Sequence, residues 1–462
     1  MQILSKSSYC SGVQCLKILW LKTHCPQEAQ VSESTQKAFD SGHTVGDYAK
    51  KYFGSFEEIQ MNFDNFSESF KVALEDTKNH INKRTPTICE AAFSYKNTLC
   101  FADIVRVNAD KSLEIIEVKQ TTGVKPQHFD DMAFQYYVIK NCGYNISKVS
   151  LMHIDSGYIR QGDIEPQKLF KIEDCTQETL DRQKDISAKI EEMIHYSSQK
   201  QEPQMEVGKQ CTAPYTCAYW EHCHQAENAE TEEDNQTEAE INIINFNKAA
   251  IRDFLSKVRY PLYYFDFETT CMEAIPPVDG ASPYHPMPFQ YSWHIQKSEN
   301  EDIDNLEHRE FLANEFSNQS VRALAEQLCR DIPQDAAVMA YNITFEKGVI
   351  KRLAEMFPDL SGHLLAIERN FIDLMSPFHS KHLQTKEMQD SYSIKYVLPA
   401  LIPELAYSDL EVQNGGMAYE TFKSFPHLSS EEQTAQRNAL LAYCKMDTIA
   451  MAKILRKIEA ML

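Results

Sequence analysis

The sequence predicts an α/β protein of two domains. Three observations carry this. A chain of 462 residues exceeds one ordinary hydrophobic core. Strand-like runs alternate with helical periods in two separate stretches. Between those stretches lies QAENAETEEDNQTEAE, acidic and free of aromatics, which reads as a disordered linker. The expected boundaries are 1–224 for the first domain, 225–242 for the linker and 243–462 for the second domain.

In the first stretch, apolar periodicity predicts helices over 15–23, 35–53 and 56–82. Strands follow over 87–93, 99–107 and 113–118, then a helix over 129–140, a strand over 148–154 and a helix over 177–196. A cysteine-rich tail closes it. The second stretch opens with a helix over 248–258 and an aromatic strand over 262–267. Further strands fit 289–295 and 336–340, and helices fit 317–329, 344–356 and 430–461. No internal repeat is visible.

Hydrophobic residues at 43% and charged residues at 24% are ordinary for a soluble chain. No apolar run reaches bilayer length, and MQILSKSSYC lacks a signal-peptide core, so the cytoplasm is expected and a membrane partner is not. In that compartment the 13 cysteines do not form a disulfide framework. The net charge of −21 argues against broad attraction to duplex nucleic acid, so any nucleic-acid groove is a local basic patch. Acidity is nevertheless compatible with a nuclease, because metal-binding carboxylates contribute to it.

In LEIIEVKQ, Glu117 and Lys119 are two apart on a strand and therefore share a face. Asp103, in FADIVRV, lies on the preceding strand at hairpin distance. Two carboxylates can hold a divalent cation that polarises a phosphate, and a lysine can stabilise the charge that develops. A Glu–Lys pair on a solvated strand edge is the bland alternative. The arrangement resembles the PD-(D/E)xK nucleases, in particular their RecB-like branch. That resemblance implies a restriction-endonuclease-like fold, makes His43 in GHTVGDYA a metal ligand beside Asp103 and Glu117, and gives Lys119 a catalytic role. It also places Gln135 and Tyr136 or Tyr137, in DDMAFQYYVIK, near the site. Glu90, in ICEAAF, is an additional candidate acid.

Cys211, Cys217 and Cys223 occur with five residues between neighbours. Cys15 is the candidate fourth ligand, with Cys10 its rival. Thiolates suit both iron–sulfur and zinc, and in a zinc site His222 and His224 could contribute. The pattern resembles the iron–sulfur RecB-like nucleases, which implies a 4Fe–4S cluster on Cys15, Cys211, Cys217 and Cys223.

PLYYFDFETT places Asp266 and Glu268 on one face of a buried strand. Unpaired buried carboxylates are costly, and a metal pair is the natural compensation. Asn342, Phe345 and Glu346 open a later helix, and Tyr443 and Asp447 are four apart on one helix face. Together these resemble the DEDD (DnaQ-like, RNase H-like) exonucleases. The resemblance implies Mg²⁺ or Mn²⁺ on Asp266, Glu268, Glu346 and Asp447, with Asp266, Glu268 and Tyr443 catalytic. Glu346 departs from the family's usual Asp. Asp373 reads as a supporting acid or a helix cap, Lys395 as a phosphate contact or a solvated lysine, and Gln290 as part of the second strand.

Over nearly its whole length the chain resembles a bacterial family, domain-of-unknown-function 2779. That family combines a RecB-like and a DEDD-like module. The implied activity is phosphodiester hydrolysis, with DNA the preferred substrate and repair or defence the setting. The competing expectation is a non-catalytic nucleic-acid-binding or assembly protein that retains the folds.

Overall fold

The computed structural model describes residues 3–30, 33–224, 242–405 and 410–462. The chain divides into two compact units, Met1–Tyr158 with Asp163–Asp234, and Ile159–Gly162 with Asn235–Leu462. The expected linker lies, except for Asn242, outside the described residues. Both units are α/β with mixed sheets. Among the described residues no helix is long and apolar enough to cross a membrane.

The first unit runs β1 (Leu4–Ser5), α1 (Lys6–Gln14), α2 (Leu16–His24), α3 (Glu33–Lys50), β2 (Glu57–Glu58), α4 (Phe66–Lys83), β3 (Thr87–Tyr95), β4 (Thr98–Val107) and β5 (Leu113–Lys119). It continues through α5 (Pro126–Asn141), β6 (Ile146–Ile154), α6 (Pro166–Leu169), β7 (Phe170–Asp174), α7 (Thr176–Asp181), α8 (Gln183–Ser197) and α9 (Trp220–His224). Its sheet has the order β2-β3-β4-β5-β6-β7, with β1 beside β4. β3, β4 and β5 form an antiparallel meander. β6 then joins β5 in parallel, which requires a crossover, and α5 supplies it.

Two expectations need correction. The helix expected over 56–82 begins only at Phe66. The Asn62 side chain accepts the Asp64 amide, and the Asn62 amide donates to Ser69 Oγ, so this stretch turns instead of coiling. Glu57 and Glu58 ahead of it pair with β3. The helix expected over 177–196 is two helices that meet at Arg182.

The second unit runs β8 (Ile243–Phe246), α10 (Lys248–Leu255), β9 (Leu262–Thr269), β10 (Pro288–Gln296), β11 (Glu307–Leu312), α11 (Asn318–Asp331), β12 (Ala337–Ala340) and α12 (Ile343–Met356). Then come α13 (Ser361–Arg369), β13 (Phe371–Asp373), α14 (Ser376–His379), β14 (Leu383–Thr385), α15 (Ile394–Leu401), α16 (Gly415–Ser424) and α17 (Ser430–Ala460). Its main sheet has the order β11-β10-β9-β12-β13. The first three strands are antiparallel and the last two pairings parallel.

The period of two along β9 decides what each face meets. Tyr263, Phe265 and Phe267 enter a core built with α11, α12 and α13. Leu262 and Tyr264 enter the opposite core, with Ile251, Leu398, Met451 and Leu455 from α10, α15 and α17. Asp266 and Glu268 continue this second face, so they lie on the side covered by the C-terminal helix.

Candidate metal centres and the cysteine set

In the second unit, Asp266 and Glu268 leave the end of β9. Glu346 comes from the first turn of α12, where the helix dipole favours an acid. That helix starts at Asn342, whose left-handed backbone (φ 67) turns the chain sharply out of β12. Asp373 holds this turn. Its Oδ1 accepts from the amides of Asn342 at 3.1 Å and Met375 at 2.9 Å, so its carboxylate acts as a cap. Asp447 and Tyr443 come from α17. That helix is fastened to β10 beside Asp447: Thr448 Oγ1 lies 2.8 Å from His294 Nδ1 and 3.1 Å from Ser292 Oγ. Gln290, opposite Glu268 in the register, donates from Nε2 to the Leu440 carbonyl at 2.9 Å and ties the same two elements.

The result is one cavity of about 490 Å³ lined by Asp266, Glu268, Glu346, Tyr443 and Asp447, among others. The described residues that line it include no lysine or arginine. Glu268, Glu346 and Asp447 are buried and Asp266 is half-buried. Burial, then Asp447, Glu268 and Glu346, hold the Asp266 carboxyl well above the usual range. Burial, then Asp447 and Glu346, do the same to Glu268. Burial pushes Glu346 up to about 8, with Asp373 adding to it. Glu346 Oε2 is buried and has no hydrogen-bond partner among the described residues. Several buried acids around an orphaned Glu346 oxygen fit a divalent cation, whose charge would restore their ordinary ionisation.

Sequence reasoning missed Cys444 here. Its Sγ lies 3.8 Å from Asp266 Oδ2, and together with Asp266 and Glu268 it offers ligand atoms within 4.8 Å of one another. The signal was present, since Cys444 and Asp447 are three apart on one helix face. Lys395 is exposed on α15.

In the first unit, the β4–β5 ladder runs to the pair Ile104–Ile116, and the next residues are Asp103 and Glu117. Asp103 Oδ2 accepts from the Val118 amide at 2.8 Å. Lys119 Nζ lies 2.6 Å from Glu117 Oε1 and 2.6 Å from Asp131 Oδ2. Gln135 Nε2 donates to Glu117 Oε2 at 2.5 Å and to Asp131 Oδ1 at 3.1 Å. Two members were missed. Asp131 was legible as the residue one helical turn before Gln135. Lys6, whose Nζ lies 3.0 Å from Glu117 Oε2 and 3.4 Å from Asp103 Oδ1, had no signal in the sequence.

Burial and Asp103 work to raise the Glu117 carboxyl, but Lys119 and Lys6 outweigh them and hold it below the usual range. Burial lowers the Lys119 ammonium, and Glu117 and Asp131 more than reverse this. Glu90 sits on β3 with a left-handed backbone (φ 55), uncommon for a non-glycine residue in a strand. Burial and Asp103 raise its carboxyl, and Lys50 Nζ lies 3.4 Å from it. His43 is exposed on α3 and has no hydrogen bond or ion pair with these acids. Tyr137 makes an edge contact with Tyr95, and Tyr136 packs against the core.

Cys15, Cys211, Cys217 and Cys223 line one small cavity with Lys17 and Trp220. The amide of Gly208 points at Cys211 Sγ at 3.5 Å, and that of Tyr219 at Cys217 Sγ at 3.4 Å. Cys10 lies elsewhere: its thiol is raised first by burial and then by Asp131, a member of the acid site. The two histidines have partners other than the thiols. His222 Nε2 is 3.2 Å from Glu202, and His224 stacks on Trp220 at 3.6 Å.

Residues 263–393 match the family described as a domain of unknown function (DUF2779). The match spans β9 to the residue before α15, and so contains Asp266, Glu268 and Glu346. No curated protein matches the chain.

Proposed function

We propose that the protein is a metal-dependent nuclease that hydrolyses phosphodiester bonds, with DNA as its substrate. The observation that carries this reading is the convergence of Asp266, Glu268, Glu346 and Asp447, from three separate segments, on one cavity whose described lining holds no basic residue. In this reading those four carboxylates hold Mg²⁺ or Mn²⁺. Tyr443, on the cavity wall, orients the attacking water. Divalent cations bound there would polarise the phosphate and acidify water. Glu346 lines the same cavity as the other three acids although it stands where the family has Asp, which is in keeping with the enzyme reading. The mixed sheet, with the acids at the end of its central strand, supports an RNase H-like exonuclease domain.

The first unit, in the same reading, is a PD-(D/E)xK domain of the RecB-like kind. Asp103 and Glu117 hold a cation, and Lys119 stabilises charge on the phosphate. The strand meander, the parallel β6 and the α5 crossover support it. His43 is a ligand only if its side chain turns inward on cation binding. Cys15, Cys211, Cys217 and Cys223 hold a 4Fe–4S cluster, supported by four thiols around one cavity and by amides aimed at two of the sulfurs. A thiolate-held cluster favours a reducing compartment, and the cytoplasm is the setting in this reading.

The test is Mg²⁺- or Mn²⁺-dependent cleavage of labelled DNA and RNA by the parent chain, Lys119→Ala and Asp266→Ala. If neither substitution alters cleavage of any substrate, the reading is wrong. Anaerobic purification should give iron and sulfide, and stoichiometric zinc in their place would sink the cluster assignment.

A further inference from the structure

The first unit's acid site contains a cation that its E-x-K motif does not explain. Asp103, Glu117 and Asp131 bring three carboxylates together, and Lys119 answers for one charge. Lys6 Nζ stands on the other side, 3.0 Å from Glu117 Oε2, 3.4 Å from Asp103 Oδ1 and 3.8 Å from Asp131 Oδ1. It is the only group that approaches all three acids through salt bridges among the described residues.

Its placement is over-determined. Leu4 and Ser5 pair with Thr98 and Leu99 at the start of β4 and fix the chain just before Lys6. Ser5 caps α1, its hydroxyl accepting the Ser8 amide. Tyr9 stacks on Phe134 at 4.8 Å, and Phe134 belongs to α5, the helix that carries Asp131 and Gln135. At the far end of α1, Gln14 Nε2 donates to the carbonyls of Gln210 and Tyr215, each at 2.7 Å. These residues flank Cys211 in the cysteine loop, and the residue after Gln14 is Cys15. One nine-residue helix therefore joins the cysteine set to the acid site, with Lys6 at its tip.

We propose that Lys6 is a built-in cation of this acid site, a positioning residue held there by a helix that the cysteine loop anchors. The inference rests on reading the acids as a divalent-cation site. The ammonium already balances part of the charge of Asp103, Glu117 and Asp131, charge that a second ion would otherwise have to answer. The site therefore binds one divalent cation, and Lys6 supplies the other positive charge. Loosening α1 from the cysteine loop withdraws that charge and raises the demand for free cation.

The experiment counts bound Mn²⁺ from the paramagnetic resonance of the free ion. It uses the full chain purified anaerobically, in an Asp447→Asn background that disables the second unit. Lys6→Met keeps the apolar stem and removes the charge. It should bind one more Mn²⁺ per chain than its parent. Its cleavage at micromolar Mn²⁺ should fall by about 100-fold and recover at millimolar Mn²⁺, a rescue that misfolding does not produce. Lys6→Arg should behave as the parent, and Gln14→Leu should shift the Mn²⁺ demand in the same direction as Lys6→Met. An unchanged ion count and unchanged Mn²⁺ demand in Lys6→Met overturn the proposal while leaving the acid-site reading intact. A parent chain whose Mn²⁺ binding is indifferent to Glu117→Gln overturns the acid-site reading itself, and the proposal with it.

Discussion

Replacing Glu346 by Gln should stabilise the metal-free protein at high pH while abolishing the second unit's cation binding. Burial pushes this carboxyl from 4.5 to about 8. Between those values the folded chain holds a proton that the unfolded chain has released. Stability therefore falls as pH rises through that window, and the loss is complete above the folded value. At about 1.4 kcal/mol per tenfold, the interval sets an upper bound of roughly 5 kcal/mol. A buried glutamine amide without a partner gives back about 1–3 kcal/mol. The net gain at about pH 9 is thus about 2–4 kcal/mol, and at about pH 5 it disappears or changes sign. The assay is urea unfolding in chelator and reductant at both pH values, read by hydrogen exchange in β9, β12 and α17. No gain at the higher pH, or an equal gain at the lower, would refute the argument that an unpaired buried charge strains this cavity.

Three other outcomes are expected. Mn²⁺ should raise the melting temperature of the second unit, since a ligand at 100 times its Kd adds about 2.7 kcal/mol; the increment should vanish in Asp447→Asn, as seen by calorimetry. Cys15→Ser and Cys217→Ser should lose iron on anaerobic purification and Cys10→Ser should keep it, because only the first two line the shared cavity; equal iron in all three would refute the ligand set. Gly12→Ala should cost about 1–3 kcal/mol. Its Cβ would meet Leu19 Cδ1 and Met193 Sδ at 2.8 Å, and an unchanged urea midpoint in the first unit would show that α1 does not pack there as described.

What the sequence determined by itself were the features written in local periodicity. The period of two put Asp266 with Glu268, and Glu117 with Lys119, each pair on one face of a strand. The helical period put Tyr443 with Asp447. The apolar runs fixed the main strands to within a few residues, because strand and helix each impose a repeat that a short window can display. Asp266 and Glu268 were legible because carboxylates amid aromatic residues contradict their surroundings, whereas Glu346 and Asp447 were legible only through the resemblance to the DEDD exonucleases.

Only the tertiary structure decided which separated segments meet. Lys6 lies 97 residues from Asp103 and 111 from Glu117, and nothing in SKSSYC marks it as their partner. That Cys15 lines the cysteine cavity and Cys10 does not follows from where α1 lies and ends, and α1 itself shows no apolar period. Asp373 proved to be a cap through bonds to backbone amides that no pattern of side chains encodes. Spacing along the chain constrains neighbours within a turn or a strand. Contacts across a hundred residues follow from how sheets and helices bury their apolar faces, and that burial depends on the whole core at once.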